Sequence, residues 1–275
     1  MAINVYYASP DQTGRNHAGT QADPFSSDDL FGVRNDNYPS KLVRPCKVFL
    51  LPGNNAYGSP NYNPAVFTSN NGESSFYFGS DPPNNGGFII LEAVNRDTAT
   101  NISQLPRIGQ IKTSFADDPI LISGVWFFRA EAVASGCRIF FDRCVFLHQT
   151  SFYSNALLTC LNQWGGHTIF NGCYFSIQAS SFNSSAAYSQ TLGGYYVFFG
   201  CWFDTYCPIE RSQNSQFYEQ CVFRNMDPAI DGKIAFYNVA SSDIKRCLFW
   251  RYDQAIVESG WEMPGAPEYG EKARN

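Results

Sequence analysis

The residues able to do chemistry in this 275-residue chain are a thin scatter of carboxylates, three histidines and nine cysteines. Acid–base cleavage of a polymer such as a glycan requires two carboxyl groups about 5–9.5 Å apart. The tightest acidic group is Asp204 with Glu210 and Asp227, beside Arg211 and Arg224. These three are the candidate catalytic residues. The competing reading is an ion pair between Asp204 and Arg224, which occupy equivalent positions of adjacent sequence repeats. Asp142 and Glu219 also share a repeat position but lie three repeats apart, roughly 14 Å at the ordinary strand spacing, too far for a dyad. His17, His148 and His167 are scattered and gather with no serine and aspartate into a triad. The cysteines include no Cys-x-x-Cys pair, so no metal site is expected. Asn84-Asn85-Gly86-Gly87 lacks a phosphate-loop pattern, and no cofactor is implied.

What must position these groups is a repeat. Five segments align on Cys144, Cys173, Cys201, Cys221 and Cys247, each cysteine followed two residues later by phenylalanine, at spacings of 29, 28, 20 and 26 residues. Units this short cannot bury an apolar face alone and must stack on their neighbours, with the length changes placed in the turns. Stacked parallel strands bring equivalent residues about 4.8 Å apart, which predicts three inward columns. They are Phe146, Phe175, Phe203, Phe223 and Phe249; the five cysteines; and Phe141, Phe170, Phe198, Tyr218 and Ile244. Parallel Cβ vectors would hold the cysteine Cβ atoms farther apart than the roughly 3.8 Å of a bridge, so free thiols are predicted.

Alternation places other residues on the outer face. Four before each cysteine, where polar side chains are expected, stand Phe140, Ile169, Val197 and Phe217, followed by Asp243. Either a longer turn folds over this apolar column or it docks against another subunit. Just after the cysteines Tyr174 and Trp202 face outward on adjacent repeats, with Tyr195 and Tyr196 nearby. These four are the candidate binding residues, able to stack on sugar rings or anchor a protein interface unless turns cover them.

The first half carries weaker strand-like runs at Lys47–Gly53, Phe76–Gly79, Gly87–Glu92 and Ile120–Phe128. Asp28–Val33, preceded by Ser26 and Ser27, predicts a short helix plugging the open end of the coil. About eight rungs are expected. The predicted division is an entry strand and cap over 1–45, stacked strands over 46–260 and an extended tail over 261–275, one structural domain overall. Contacts with a neighbouring subunit are expected to hold the termini. Aromatic residues reach 16 % while charged residues also reach only 16 %, a balance that favours strands and neutral turns. A net charge of −5 without a Lys/Arg cluster argues against nucleic acid as a partner. The opening Met1-Ala2-Ile3-Asn4-Val5 has no secretory pattern, and the longest apolar run, Pro119–Phe128, is too short to span a bilayer. Synthesis in a cytoplasm, without membrane insertion, is expected.

The opening Val5-Tyr6-Tyr7-Ala8-Ser9-Pro10 with Gly19-Thr20 and Asp23-Pro24-Phe25, the apolar strand before Pro52-Gly53, and the cysteine repeats together resemble the pectin-lyase-like superfamily of right-handed parallel β-helices. The resemblance implies an all-β right-handed parallel β-helix with a short N-terminal capping helix. It carries no single activity, because the fold hosts lyases, hydrolases, epimerases and scaffold proteins alike. Where the superfamily often has a turn asparagine, this chain has Arg143, Gly172, Gly200, Gln220 and Arg246, so no asparagine ladder is expected. The missing secretory pattern sets the chain apart from secreted pectinolytic enzymes. It is more similar to bacteriophage tailspike, fibre and capsid-attached proteins. That implies a non-enzymatic virion protein, homo-oligomeric in the manner of trimeric fibres, meeting other capsid or tail proteins and host-surface glycans. A polysaccharide lyase or glycoside hydrolase of the same fold is the alternative.

Overall fold

The computed structural model of the chain describes residues 2–53, 67, 74–77, 87–108, 111–112, 119–127, 133–134, 139–148, 156–159, 167–177, 185–188, 195–204, 207–210, 216–224, 234–239, 242–250 and 254–258. They are mostly strands in parallel sheets, with one α-helix and two 3-10 turns among them. The chain forms two compact units, Met1–Phe128 with Cys137–Val145 and Arg129–Gly136 with Phe146–Asn275.

In the first unit the strands Asn4–Ala8, Cys46–Leu50, Ile89–Ala93, Ile120–Ser123 and Ile139–Asp142 pair in parallel in that order. Period-two alternation sends Val48, Leu91, Ile122 and Phe141 inward as one column in register, all fully buried. Smaller pairs join Ser74–Ser75 to Ile111–Lys112 and Arg107–Ile108 to Trp126–Phe127. The short helix lies at Ser27–Phe31: Ser26 caps it by accepting from the Asp29 amide, and Gly32, at a φ of 79°, ends it.

The strand expected at Phe76–Gly79 lies earlier, at Ser74–Ser75, and Gly79 falls outside the described residues. Tyr77 spends its N–H on Phe31 and its carbonyl on the Ser40 amide, and the Phe76 ring packs 5.1 Å from Phe31. The backbone groups that a ladder would need are therefore taken by the segment around the helix.

A buried carboxylate ties this end together. Asp29, with no exposed side-chain surface, accepts from the amides of Asn16 (2.9 Å) and His17 (3.1 Å) and from the Tyr38 hydroxyl (2.5 Å), with the Lys41 ammonium 3.3 Å away. Burial, then the bond to Asp29, pushes the Tyr38 phenol up to about 12.

The second unit contains three parallel ladders. One runs through His167–Asn171, Tyr195–Phe199, Gln216–Glu219 and Ser242–Lys245. The next runs through Tyr174–Ile177, Trp202–Asp204, Val222–Arg224 and Leu248–Trp250. The third runs through Ala156–Thr159, Ser185–Tyr188, Cys207–Glu210, Ile234–Val239 and Gln254–Glu258. Registers match the alignment on cysteine, so Phe175, Phe203, Phe223 and Phe249 face one another across successive strands. Their rings, with Phe146 before them, stack nearly parallel at centroid separations of 4.8, 4.7, 4.7 and 4.9 Å. Phe170, Phe198 and Tyr218 form a second stack at 4.7 and 4.8 Å. These separations are the strand spacing itself, so neither ring nor backbone has to yield to the other.

The cysteines whose side chains are described, Cys46, Cys144, Cys173, Cys201, Cys221 and Cys247, are free thiols. Cys201 and Cys221 donate to the carbonyls of Phe170 and Phe198, each at 3.4 Å. Burial pushes the Cys46 thiol up to about 12; hydrogen bonding to the Cys201 sulfur, together with burial, does the same at Cys221. At these two positions the thiols are packing groups with little nucleophilic character.

The residue before each aligned cysteine turns the corner in a left-handed conformation: Arg143 at φ 50°, Gly172 at 59°, Gly200 at 56°, Gln220 at 56° and Arg246 at 53°. Gly172, Gly200 and Gln220 each donate their amide to a carbonyl of the next repeat, that of Phe199, Glu219 and Lys245. This shared corner reverses the exposure pattern on either side of the cysteine and fixes which residues of the following strand point outward.

Candidate functional site

With Phe203 and Phe223 pointing inward, alternation leaves the flanking residues on the outer face. Two columns result: Tyr174, Trp202, Val222 and Leu248 in register, and beside them Ser176, Asp204, Arg224 and Trp250. The candidate binding residues Tyr174 and Trp202 and the candidate catalytic residue Asp204 thus come together in one place.

Asp204 is at the centre and is 2 % exposed although it lies on the outer face. Its Oδ1 accepts from Trp202 Nε1 at 2.7 Å and Arg224 Nε at 2.8 Å. Its Oδ2 accepts from the Tyr174 hydroxyl at 2.7 Å and Arg224 Nη2 at 2.6 Å. The Asp204–Arg224 pair read from the sequence is therefore present and bidentate, the strong form of this contact. Hydrogen bonding to Asp204 raises the Arg224 pKa, and burial followed by the bond to Asp204 pushes Tyr174 up to about 12. A carboxylate that accepts two hydrogen bonds on each oxygen has few lone pairs left to offer a substrate. What it does is hold Trp202, Tyr174 and Arg224 in fixed orientation.

Held this way, the Arg224 guanidinium lies 5.3 Å from the Trp202 ring centre and 5.9 Å from that of Trp250. Trp202 is 40 % exposed, Trp250 50 % and Leu248 58 %. The surface is aromatic and, with Asp204 and Arg224 cancelling, close to neutral. Such a face suits stacking on a ring or burial against an apolar partner. Trp250 and Leu248 are absent from the sequence candidates; the signal for Trp250 was there in the residue three after Cys173, Cys201, Cys221 and Cys247, which reads Ser176, Asp204, Arg224 and Trp250, and Leu248 follows its cysteine as Trp202 does.

The remaining candidates are dispersed. Tyr195, Tyr196 and Glu210 lie on strands, but their side chains, like all of Asp227 and Arg211, are outside the described residues. Phe140, in the first unit, and Ile169, Val197 and Phe217, in the second, are half-buried on outer faces. The Lys245 ammonium sits 5.1 Å from the Phe217 ring centre, and the Phe199 ring 5.8 Å from it. Glu219 pairs with Arg246, and His17 bonds Asp23 at 2.8 Å; the side chains of His148 and His167 are outside the description.

The first unit carries a second polar group that sequence reading missed, because its members come from four strands and a turn. Ser123 donates to Asp142 at 2.9 Å, Arg96 donates to Ser123 and Glu92 at 3.2 Å each, and Lys47 donates to Glu92 at 2.9 Å. Among the described residues no cluster of three His, Cys, Asp or Glu is arranged to hold a metal, and no helix is long and apolar enough to cross a membrane. Comparison of the chain with protein-family models, curated proteins and solved structures finds no match.

Proposed function

We propose that this chain is a right-handed parallel β-helix of about eight rungs, capped by the Ser27–Phe31 helix, acting as a non-enzymatic structural protein of a bacteriophage virion. It is made in the host cytoplasm and decorates a capsid or forms part of a tail spike or fibre, as a trimer or docked to another capsid or tail protein. Its rigid outer face serves assembly or attachment to host-surface glycans. The observation that carries the binding role is the exposed Trp202, Leu248 and Trp250 surface, in which Trp202 and the Arg224 beside both tryptophans are fixed by Asp204. The virion setting rests on the resemblance of the cysteine repeats and the opening segment to phage members of the superfamily.

The test has two arms. Trp202→Ala with Trp250→Ala is expected to weaken binding to a panel of immobilised host-surface polysaccharides at least tenfold, while leaving the thermal midpoint within a few degrees. Unchanged binding removes the attachment role. Mass spectrometry of purified particles is expected to detect the chain at a fixed stoichiometry; its absence removes the virion assignment.

The alternative, a glycoside hydrolase or polysaccharide lyase, has one observation of its own. Glu92 and Asp142 face outward two strands apart around Ser123, roughly 10 Å at the ordinary spacing, near the upper end for an inverting pair. Arg96 engages both, at 3.2 and 4.0 Å, which favours a structural role. Release of reducing ends from a polysaccharide panel, abolished by Glu92→Gln, would establish the enzyme instead.

A further inference from the structure

The three ladders of the second unit end, among the described residues, on the strands Ser242–Lys245, Leu248–Trp250 and Gln254–Glu258. There the core opens. Tyr218, Cys221 and Phe223 are at most 1 % exposed, whereas Ile244, Cys247 and Phe249, next in the same inward columns, are only half-buried. Among the described residues no further strand pairs with these three, and a sheet edge of this kind is a template for another strand.

The sequence of the edge indicates which strand fits. Ser242-Asp243-Ile244-Lys245 carries opposite charges on either side of Ile244, and both charged side chains are exposed, 57 % at Asp243 and 55 % at Lys245. Antiparallel pairing of this strand with its own copy, centred on Ile244, sets Asp243 against the partner's Lys245 and Lys245 against the partner's Asp243. Ile244 then meets its own copy over the open core. Parallel stacking would set like charges opposite one another instead, a repulsive arrangement.

We infer that the Ser242–Lys245 edge is an isologous interface at which a second copy of this chain pairs antiparallel, closing the open core end by a two-fold axis through Ile244. A two-fold arrangement uses one self-complementary surface twice and stops at the dimer, which removes the edge from further association. The inference concerns this strand edge alone and does not depend on the glycan or virion reading.

The experiment is sedimentation equilibrium of the full chain with charge reversals at two exposed positions. At micromolar concentration the wild-type chain is expected to be a dimer, or a dimer of trimers where the trimeric reading of the virion protein also holds. Asp243→Lys alone and Lys245→Asp alone each set like charges across the axis, and each is expected to weaken dimerisation at least tenfold. The double reversal restores complementarity and the dimer. Mixing the two single variants is expected to give a heterodimer, because one then presents two positive and the other two negative positions. Circular dichroism with unchanged thermal midpoints shows that the variants remain folded. A wild-type monomer overturns the inference, as does a dimer or trimer indifferent to the reversals, or single variants that fail to pair when mixed.

Discussion

The inward column of the first unit is largely aliphatic, Val48, Leu91 and Ile122 ahead of Phe141, whereas in the second unit Phe170, Phe198 and Tyr218 hold the equivalent place as a ring stack. Their outer faces differ as well. In the first, Glu92, Ser123 and Asp142 are drawn into an ionic network by Arg96. In the second, the residues two before the cysteines read Asn171, Phe199, Glu219 and Lys245, and the organised polar group lies beyond the corner, at Asp204. The same kind of parallel ladder therefore tolerates two kinds of side-chain cohesion. Flat rings at strand spacing keep every strand equivalent and leave the outer face free to present aromatic groups. Aliphatic columns leave more of the fastening to polar contacts, among which Asp29 and Ser123 are fully buried.

The sharpest way to break this comparison is in the ring stack. Phe203→Ala removes a fully buried ring that stacks on Phe175 and Phe223, and is expected to cost about 4 kcal/mol in urea unfolding followed by near-ultraviolet circular dichroism. A loss under about 1 kcal/mol would show that the rings are space-fillers the core can do without.

Next is the fastening of the first unit. Asp29→Asn leaves Lys41 and three donors facing a neutral amide, an expected loss of about 3 kcal/mol. Although burial opposes it, the bonds from Tyr38, Asn16 and His17 and the charge of Lys41 hold the Asp29 carboxyl below its ordinary value of 3.8. A depressed folded pKa contributes stability that is present above the unfolded value and lost as pH falls through the folded one. The wild-type first unit should therefore weaken below about pH 4, and the variant should lose that limb of the pH profile.

The corner glycines compare the units at one backbone conformation. Alanine at Gly124 would place its Cβ 2.8 Å from Arg96 Cβ, within the ionic network, whereas at Gly200 nothing lies within 4 Å. Gly124→Ala is expected to cost about 2 kcal/mol or more and Gly200→Ala about 1 kcal/mol, the left-handed penalty alone. Equal losses would show that the network adds nothing at that corner. The smallest effect is a gain: Gln220→Gly relieves the same penalty at φ 56° and should raise stability by somewhat under 1 kcal/mol, read as a shift in the urea midpoint.

Much of the ladder could be read from residue types alone. Phenylalanine two after cysteine, repeated five times, leaves one economical arrangement, because identical rings stacked at the strand spacing bury one another. The same alignment marked Arg143, Gly172, Gly200, Gln220 and Arg246 as one position but did not show that it is left-handed. Three of the five are side chains that seldom adopt that conformation, so residue type argued against it. The first half was legible only where apolar runs were long, and the run beginning at Phe76 misled because the backbone partners of Tyr77, Phe31 and Ser40, are some forty residues distant.

The candidate site divides in the same way. Alternation in the sequence determined that Tyr174, Trp202, Asp204 and Arg224 share the outer face of one sheet, since a strand gives every second residue to each side. Only the tertiary structure decided what Asp204 is for. Its four donors come from three strands, and whether an outward carboxylate meets water or is saturated depends on side chains one repeat to either side. Pairing across strands is a property of register and rotamer together, and neither is written in the spacing of residues along one strand.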